Sequence, residues 1–323
     1  MTVAPHRKHA KAPAQAAARR WTAPAKGEIQ PWKGHKPWER HVVEVAIPVI
    51  NPMETIEPVI NLLRCQTVRP YIVLIDTGSD PAQWEQVQAL RGPDVEVHAL
   101  WTGGLYHSSA VVAAALDLAI ALCRTEYLLF SHSDCFLKRR DAVERLLGEL
   151  DSDCPAAGYG ITPRDGIPDW RRMMGHAWSG IHVPSIRKTA ARWGHRDPKH
   201  QRQDNWDTEY GFNRQLFLEG IYPRLLGYEE NWSYNILEDY EHVRSWPLSA
   251  MYLPQHHEKA KSWMTQALDG AHQRIKDWTE GEYDDGTNPE RLEAYPKPGQ
   301  VSAEQFGECR PEDAYLPSYP LRC

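Results

Sequence analysis

The chain has 323 residues, 41% of them hydrophobic and 25% charged, and a formal net charge of −6. That is room for one sizeable core, and it excludes a generally basic surface. Six cysteines (Cys65, Cys123, Cys135, Cys154, Cys309, Cys323) show no CxxC spacing, and the opening residues contain no apolar h-region, so reduced thiols in a cytoplasmic setting are expected. The longest apolar run, Val111 to Cys123, is broken by Asp117 and is too short to span a bilayer, so no transmembrane segment is expected.

Charge is spread unevenly. Residues 1–40 carry nine Lys or Arg against two Glu, about +7, which leaves about −13 for the rest. They are rich in Ala and Pro without a sustained apolar period, the composition of a basic, disordered tail that suits a polyanion or a partner protein as a contact.

Order is expected from His41. Val42 to Ile50 reads as a buried strand closed by Asn51-Pro52, and Ile56, Val59, Ile60 and Leu63 have the spacing of an amphipathic helix over 54–64. Tyr71 to Ile75 is a second strand ending in Asp76-Thr77-Gly78-Ser79-Asp80, and Pro81 suits the first position of the next helix. Val95 to Leu100 is a third strand. Gly103-Gly104 turn the chain, and Ser108 or Ser109 can cap an Ala-rich helix running to Cys123. Tyr127 to Phe130 is a fourth strand that stops in Ser131-His132-Ser133-Asp134, with a helix over 141–150 after it. Four successive βα units predict a parallel, doubly wound sheet.

Beyond Ala156 the pattern loosens. GYGIT suggests one more strand, and 163–210 reads as a polar, Trp-rich loop of the kind that covers a site. Helical character is expected at 212–219 and around Glu238-Asp239, and an edge strand at 250–253 leads into His256-His257. The remainder reads as an acidic, Pro-rich extension.

Ligands of open α/β sheets sit beyond the carboxyl ends of the strands. His132 and Asp134 lie there two residues apart, so both can turn toward one point that holds a divalent metal; the plain alternative is a pair of loop polar residues. Asp76 ends the second strand in the same way, either as a ligand-binding carboxylate or as the first residue of an Asx-turn ahead of Gly78. Asn235 and Glu238 have the spacing of a capping-box variant, and an acidic Asp239 would suit a helix N-terminus without any chemistry.

Taken together, AIPVIN, IDTGSD, FSHSDC, GYEENW and LEDYEHVR, in that order over 42–257, resemble the successive motifs of family 2 glycosyltransferases of the GT-A fold. The resemblance implies an α/β, Rossmann-like, mostly parallel sheet flanked by helices, with irregular extensions at both ends. It divides the chain into the tail 1–40, a domain over 41–260 (nucleotide-sugar half 41–150, acceptor half 151–260) and an extension over 261–323. It implies a metal-dependent hexosyl transfer from a nucleoside-diphosphate sugar to an acceptor hydroxyl, inverting, with Asp239 as general base and Glu238 beside it. Pro48, Asp76, Ser79, His132 and Asp134 would meet the donor, and Asp134, His132 and His256 or His257 would hold the metal. Where the family has a first Asp in its DXD region this chain has His132, and an imidazole ligand favours Mn²⁺ over Mg²⁺. His107 and the tryptophans Trp170, Trp178, Trp193, Trp206 and Trp232 are further candidates for diphosphate or sugar contacts. Two other functions share this sheet. A sugar nucleotidyltransferase would need a Gly-rich, basic loop after the first strand, where this chain has PVINPMET; a nucleotide- or glycan-binding module would lack turnover altogether.

Overall fold

The computed structural model describes residues 42–52, 54–100, 108–161, 173–194, 208–230, 234–243 and 254–280, with the side chains at 108–110, 210 and 254–257 outside that description. His107, Trp170, Trp206, Trp232 and the strand expected at 250–253 therefore lie outside the described residues, as do the tail 1–40 and the segment beyond 280. The elements follow in chain order: β1 (Val43–Val49), α1 (Ile56–Arg64), β2 (Tyr71–Asp76), α2 (Pro81–Ala89), β3 (Val95–Ala99), α3 (Ser108–Leu122), β4 (Tyr127–Ser131), β5 (Cys135–Leu137) and α4 (Ala142–Leu147). After them come β6 (Ala156–Ile161), β7 (Met173–His182), α5 (Val183–Ile186), α6 (Thr208–Leu218), β8 (Arg224–Glu229), β9 (Tyr234–Ile236), β10 (Tyr240–Val243) and α7 (Pro254–Glu280).

Seven strands form one sheet in the order β3-β2-β1-β4-β7-β6-β8. The first four are parallel, as four βα units require. Their residues explain the burial. In β1, Val43, Val45, Ile47 and Val49 enter one core with α1, α2, α4 and α7, while Ala46 enters a second core with α3, α5 and α6. A strand covered on both faces by helices must be apolar on both, which is why these runs do not alternate.

Three expectations about the second half need correction. The segment 163–210 is not all loop: its middle is β7, a ten-residue strand inserted antiparallel between β4 and β6. Its sequence, MMGHAWSGIH, hides the strand because glycines and histidines break the apolar run, yet nine of its ten residues are buried. Glu238 and Asp239 are not helical either. They form the turn into β10, which pairs antiparallel with β5 and β9 as a separate three-stranded sheet. An extension starting at 261 would begin inside α7, whose Met264, Ala267, Leu268, Ala271 and Trp278 are part of the core.

The contact between β6 and β7 is close. A Cβ built on Gly158 would stand 2.3 Å from Ser179 Cβ and 2.5 Å from Ser179 Cα, and the pairing shifts register between Gly158 and Gly160. Such a bulge re-aims the side chain beside it, here Tyr159. Gly158→Ala is expected to cost about 1–3 kcal/mol, because strand backbone rather than a flexible side chain would have to move. Urea unfolding with an unchanged m-value would measure it; a loss below about 0.5 kcal/mol, the range of ordinary surface changes, would show that the strands can part freely.

Candidate functional site

The carboxyl ends of β1 and β2 are laced together by their own side chains. Asp76 Oδ1 accepts the N–H groups of Gly78 and Ser79, both at 3.0 Å, so the Asx-turn is present. Gly78 takes φ 125°, which only glycine adopts without strain. Asp76 Oδ2 is buried and has no hydrogen-bond partner among the described residues. The same carboxylate thus shapes the turn with one oxygen and leaves the other unengaged among the described residues. Ser79 is occupied otherwise: its Oγ accepts the Asn51 N–H at 2.8 Å, joining the two loop tips. Pro48 lies in β1, paired with Ile75 of β2.

Beyond β4 three side chains converge. His132 Nδ1 is 3.7 Å and His242 Nε2 is 3.3 Å from the same oxygen, Asp134 Oδ1, and the ligand atoms of all three residues lie within 4.8 Å of one another. Metal–ligand bonds of about 2.1 Å set neighbouring donors roughly 3–4 Å apart, the spacing that both imidazoles already have from Asp134 Oδ1. The donor set fits as well. His242 Nε2 is buried and faces Asp134 without an aligned hydrogen bond among the described residues; His132 turns Nδ1 toward Asp134, and its other nitrogen, Nε2, is buried without a hydrogen-bond partner among the described residues. A buried imidazole nitrogen facing a carboxylate without an aligned hydrogen bond suits a metal.

His242 is the member of this cluster that sequence reasoning missed. It comes from β10, where the ladder sets it opposite Cys135, the residue after Asp134. More than a hundred positions separate it from His132, and no local spacing announces it. His256 and His257, expected in this role, belong to α7 with side chains outside the description. The cluster therefore takes two ligands from the first half of the chain and one from the second.

Charge around the cluster is balanced by neighbours. Burial and the nearby His176 and His242 pull His132 down to about 4, leaving it neutral at pH 7, the form that binds metals. Burial acts against ionisation of Asp134, but the two imidazoles outweigh it and hold the carboxyl well below the usual carboxylate range. Burial also opposes charge on His242, yet Glu229 and Asp134 raise it to about 9. A metal entering here would displace that proton.

A cavity lined by His132, Tyr159, His176, Glu209, Glu229 and Tyr240 adjoins the cluster. His176 from β7 stacks near His132 with ring centroids 4.3 Å apart, and its Nδ1 is 2.6 Å from Glu209 Oε1 of α6. Trp193 supports this wall by stacking on Phe212 at 4.3 Å, and its N–H and that of Gly194 both donate to Asp117 of α3. Trp178 and Trp193 are fully buried, so both are core residues rather than stacking platforms.

Asp239 stands apart from the metal cluster. Its carbonyl accepts the N–H of Lys138 while His242 pairs with Cys135, so most of β5, about 13 Å of chain between Asp134 and Lys138, lies between them. Asp239 Oδ2 accepts the hydroxyl of Tyr159 at 2.7 Å, and Oδ1 is 3.1 Å from Arg145 Nε. Burial raises its pKa, with Tyr159 and Arg145 working in the opposite direction. Glu238 points outward, its side chain 60% exposed, into ion pairs with Arg145 and Arg139.

The family model for glycosyl transferase family 2 matches residues 44–219, more than half of the chain. The chain belongs to glycosyl transferase family 2. It is a glycosyltransferase, and its matched region contains Asp76, His132 and Asp134 while Glu229, Asp239 and His242 lie beyond it. No curated protein sequence matches this family 2 member. Among solved structures it is similar to S. aureus TarS, with 13% identity over 69% of this chain and 42% of that one and a TM-score of 0.43. It is also similar to the mannosyltransferase PcManGT from Pyrobaculum calidifontis, solved with GDP-Man and Mn²⁺, with 14% identity over 83% of each chain and a TM-score of 0.41. This glycosyltransferase thus spans less than half of the TarS chain. Among the described residues no helix is long and apolar enough to cross a membrane.

Proposed function

We propose that this glycosyltransferase moves a hexosyl group from a nucleoside-diphosphate sugar to an acceptor hydroxyl with inversion, using a divalent metal held by His132, Asp134 and His242. The observation that carries the reading is the convergence of two imidazole nitrogens, His132 Nδ1 and the buried His242 Nε2, on Asp134 Oδ1 at the carboxyl end of the sheet. A cation bound there would offset the charge that builds on the departing nucleoside diphosphate. Asp76, through its unengaged Oδ2, receives an N–H of the base or a ribose hydroxyl, with Pro48 and Ser79 shaping the same edge.

Asp239 is the base. The acceptor hydroxyl replaces Tyr159 as the donor to Oδ2, attacks the anomeric carbon as the bond to the diphosphate breaks, and leaves its proton on that oxygen. Burial suits the role, since a carboxylate with a raised pKa is the stronger base. Two imidazoles in the ligand set favour Mn²⁺ over Mg²⁺. The basic segment 1–40 suits an anionic acceptor or partner, and reduced thiols suit the cytoplasm; the four described cysteines are all free.

The test is donor turnover with UDP-, GDP- and dTDP-sugars in the presence of Mn²⁺, Mg²⁺ or chelator, with water as the fallback acceptor. Hydrolysis of one donor class that depends on metal and is faster with Mn²⁺ is expected. Equal activation by the two ions would remove the metal preference, and binding of a donor without any turnover would favour a module that only binds.

A further inference from the structure

We infer that Glu229 is the positioning residue that presents His242 to the metal, an inference that rests on the proposed cation site. Glu229 ends β8 at the edge of the seven-stranded sheet, and only 5% of it is exposed. Its Oε1 lies 2.7 Å from His242 Nδ1 and accepts the Tyr240 hydroxyl at 3.0 Å. Tyr240 and His242 are two apart on β10 and so share a face, which lets one carboxylate reach both.

A buried imidazole can present either nitrogen to a site, depending on ring orientation and tautomer. The bond to Glu229 engages Nδ1 and so leaves Nε2 as the nitrogen that faces Asp134 at 3.3 Å. A carboxylate behind a histidine fixes the ring and raises its basicity as a ligand. Here the carboxylate also links two sheets, because Glu229 belongs to β8 of the large sheet and His242 to β10 of the small one. Without Glu229 nothing polar described on the far side of the ring selects Nε2 over Nδ1.

Glu229 also lines the cavity, as a base would; the two roles act on different quantities. Positioning acts on metal affinity with no donor present, whereas a base acts on turnover alone. The experiment is a titration of the full chain with Mn²⁺ alone, followed by electron paramagnetic resonance, on wild type, Glu229→Ala, Glu229→Gln, His242→Ala and the Glu229→Ala/His242→Ala pair. Wild type is expected to bind one Mn²⁺, and Glu229→Ala to bind it about 10–100-fold more weakly. Glu229→Gln, whose amide oxygen still accepts from Nδ1, should recover most of that loss. The double variant should bind no more weakly than His242→Ala, because Glu229 acts through that ring. Should Glu229→Ala not fold, Glu229→Met, similar in length and without an acceptor, carries the same expectation.

Affinity of Glu229→Ala within about twofold of wild type, far from the usual effect of losing such a partner, would overturn the inference, and with turnover lost it would make Glu229 the base. A further loss of affinity in the His242→Ala background would overturn it too. No Mn²⁺ uptake by wild type would overturn both this inference and the metal site, while donor turnover in chelator would show separately that the transferase reading stands.

Discussion

Asp239→Asn is expected to lower transfer by about 10²–10⁴-fold, the contribution of a positioned general base, while Mn²⁺ and donor binding stay near wild type. The substitution is nearly isosteric. The amide can keep the Tyr159 contact through its oxygen, so the buried pocket between Tyr159 and Arg145 should survive. What is lost is the ability to hold a proton at Oδ2. The pH dependence adds a second check. Since burial raises the Asp239 pKa above its ordinary value of 3.8, the base is lost as pH falls through that raised value, and the acid limb of kcat should lie above the usual carboxylate range. Transfer that survives in Asp239→Asn with an unchanged acid limb would remove Asp239 from the mechanism and turn attention to Glu229 in the cavity wall.

Asp134→Ala is expected to abolish metal-dependent donor binding altogether. Both imidazoles point at the one oxygen this variant deletes, and without it His242 keeps only Glu229 as a charged partner among the ion pairs around the ring. The readout is thermal. Ligand at a hundredfold its dissociation constant adds about 2.7 kcal/mol of stability, which for a domain of this size moves the melting temperature by roughly 5–10 °C. Wild type should show that shift when Mn²⁺ and the matching nucleotide are added together, and Asp134→Ala should not. A shift of the same size in the variant would mean that the nucleotide binds without the cluster, through the Asp76 edge alone. Asp134→Ala is also expected to lower the melting temperature without ligand. The two imidazoles hold this buried carboxyl well below the usual carboxylate range, so its ionised form stabilises the fold at neutral pH, and removing it leaves the buried His242 less compensated.

Local chemistry made one half of the molecule legible before any coordinates. The apolar runs of β1 to β4, the 3.6-residue spacing of α1, Pro81 at the head of α2 and the polar stops at Asp76 and Asp134 all depend on neighbours within a few positions, and each stands where its pattern puts it. His132 and Asp134 were legible for the same reason: two residues apart beyond a strand, they needed only the strand to meet. The sequence therefore determined a parallel α/β sheet with His132 and Asp134 together at its carboxyl edge. Only tertiary structure decided the rest. β7 lacks a clean period because glycine and histidine interrupt it, and it is a strand because β4 and β6 bond to it on both sides. LEDYEHVR looks helical in isolation and becomes β10 because β5 and β9 flank it. His242 reaches Asp134, and Glu229 reaches His242, across ladders and sheets that no spacing along the chain encodes. Periodicity reports which face of an element is buried; which distant element covers it is settled by packing, and the third member of this cluster came with that packing.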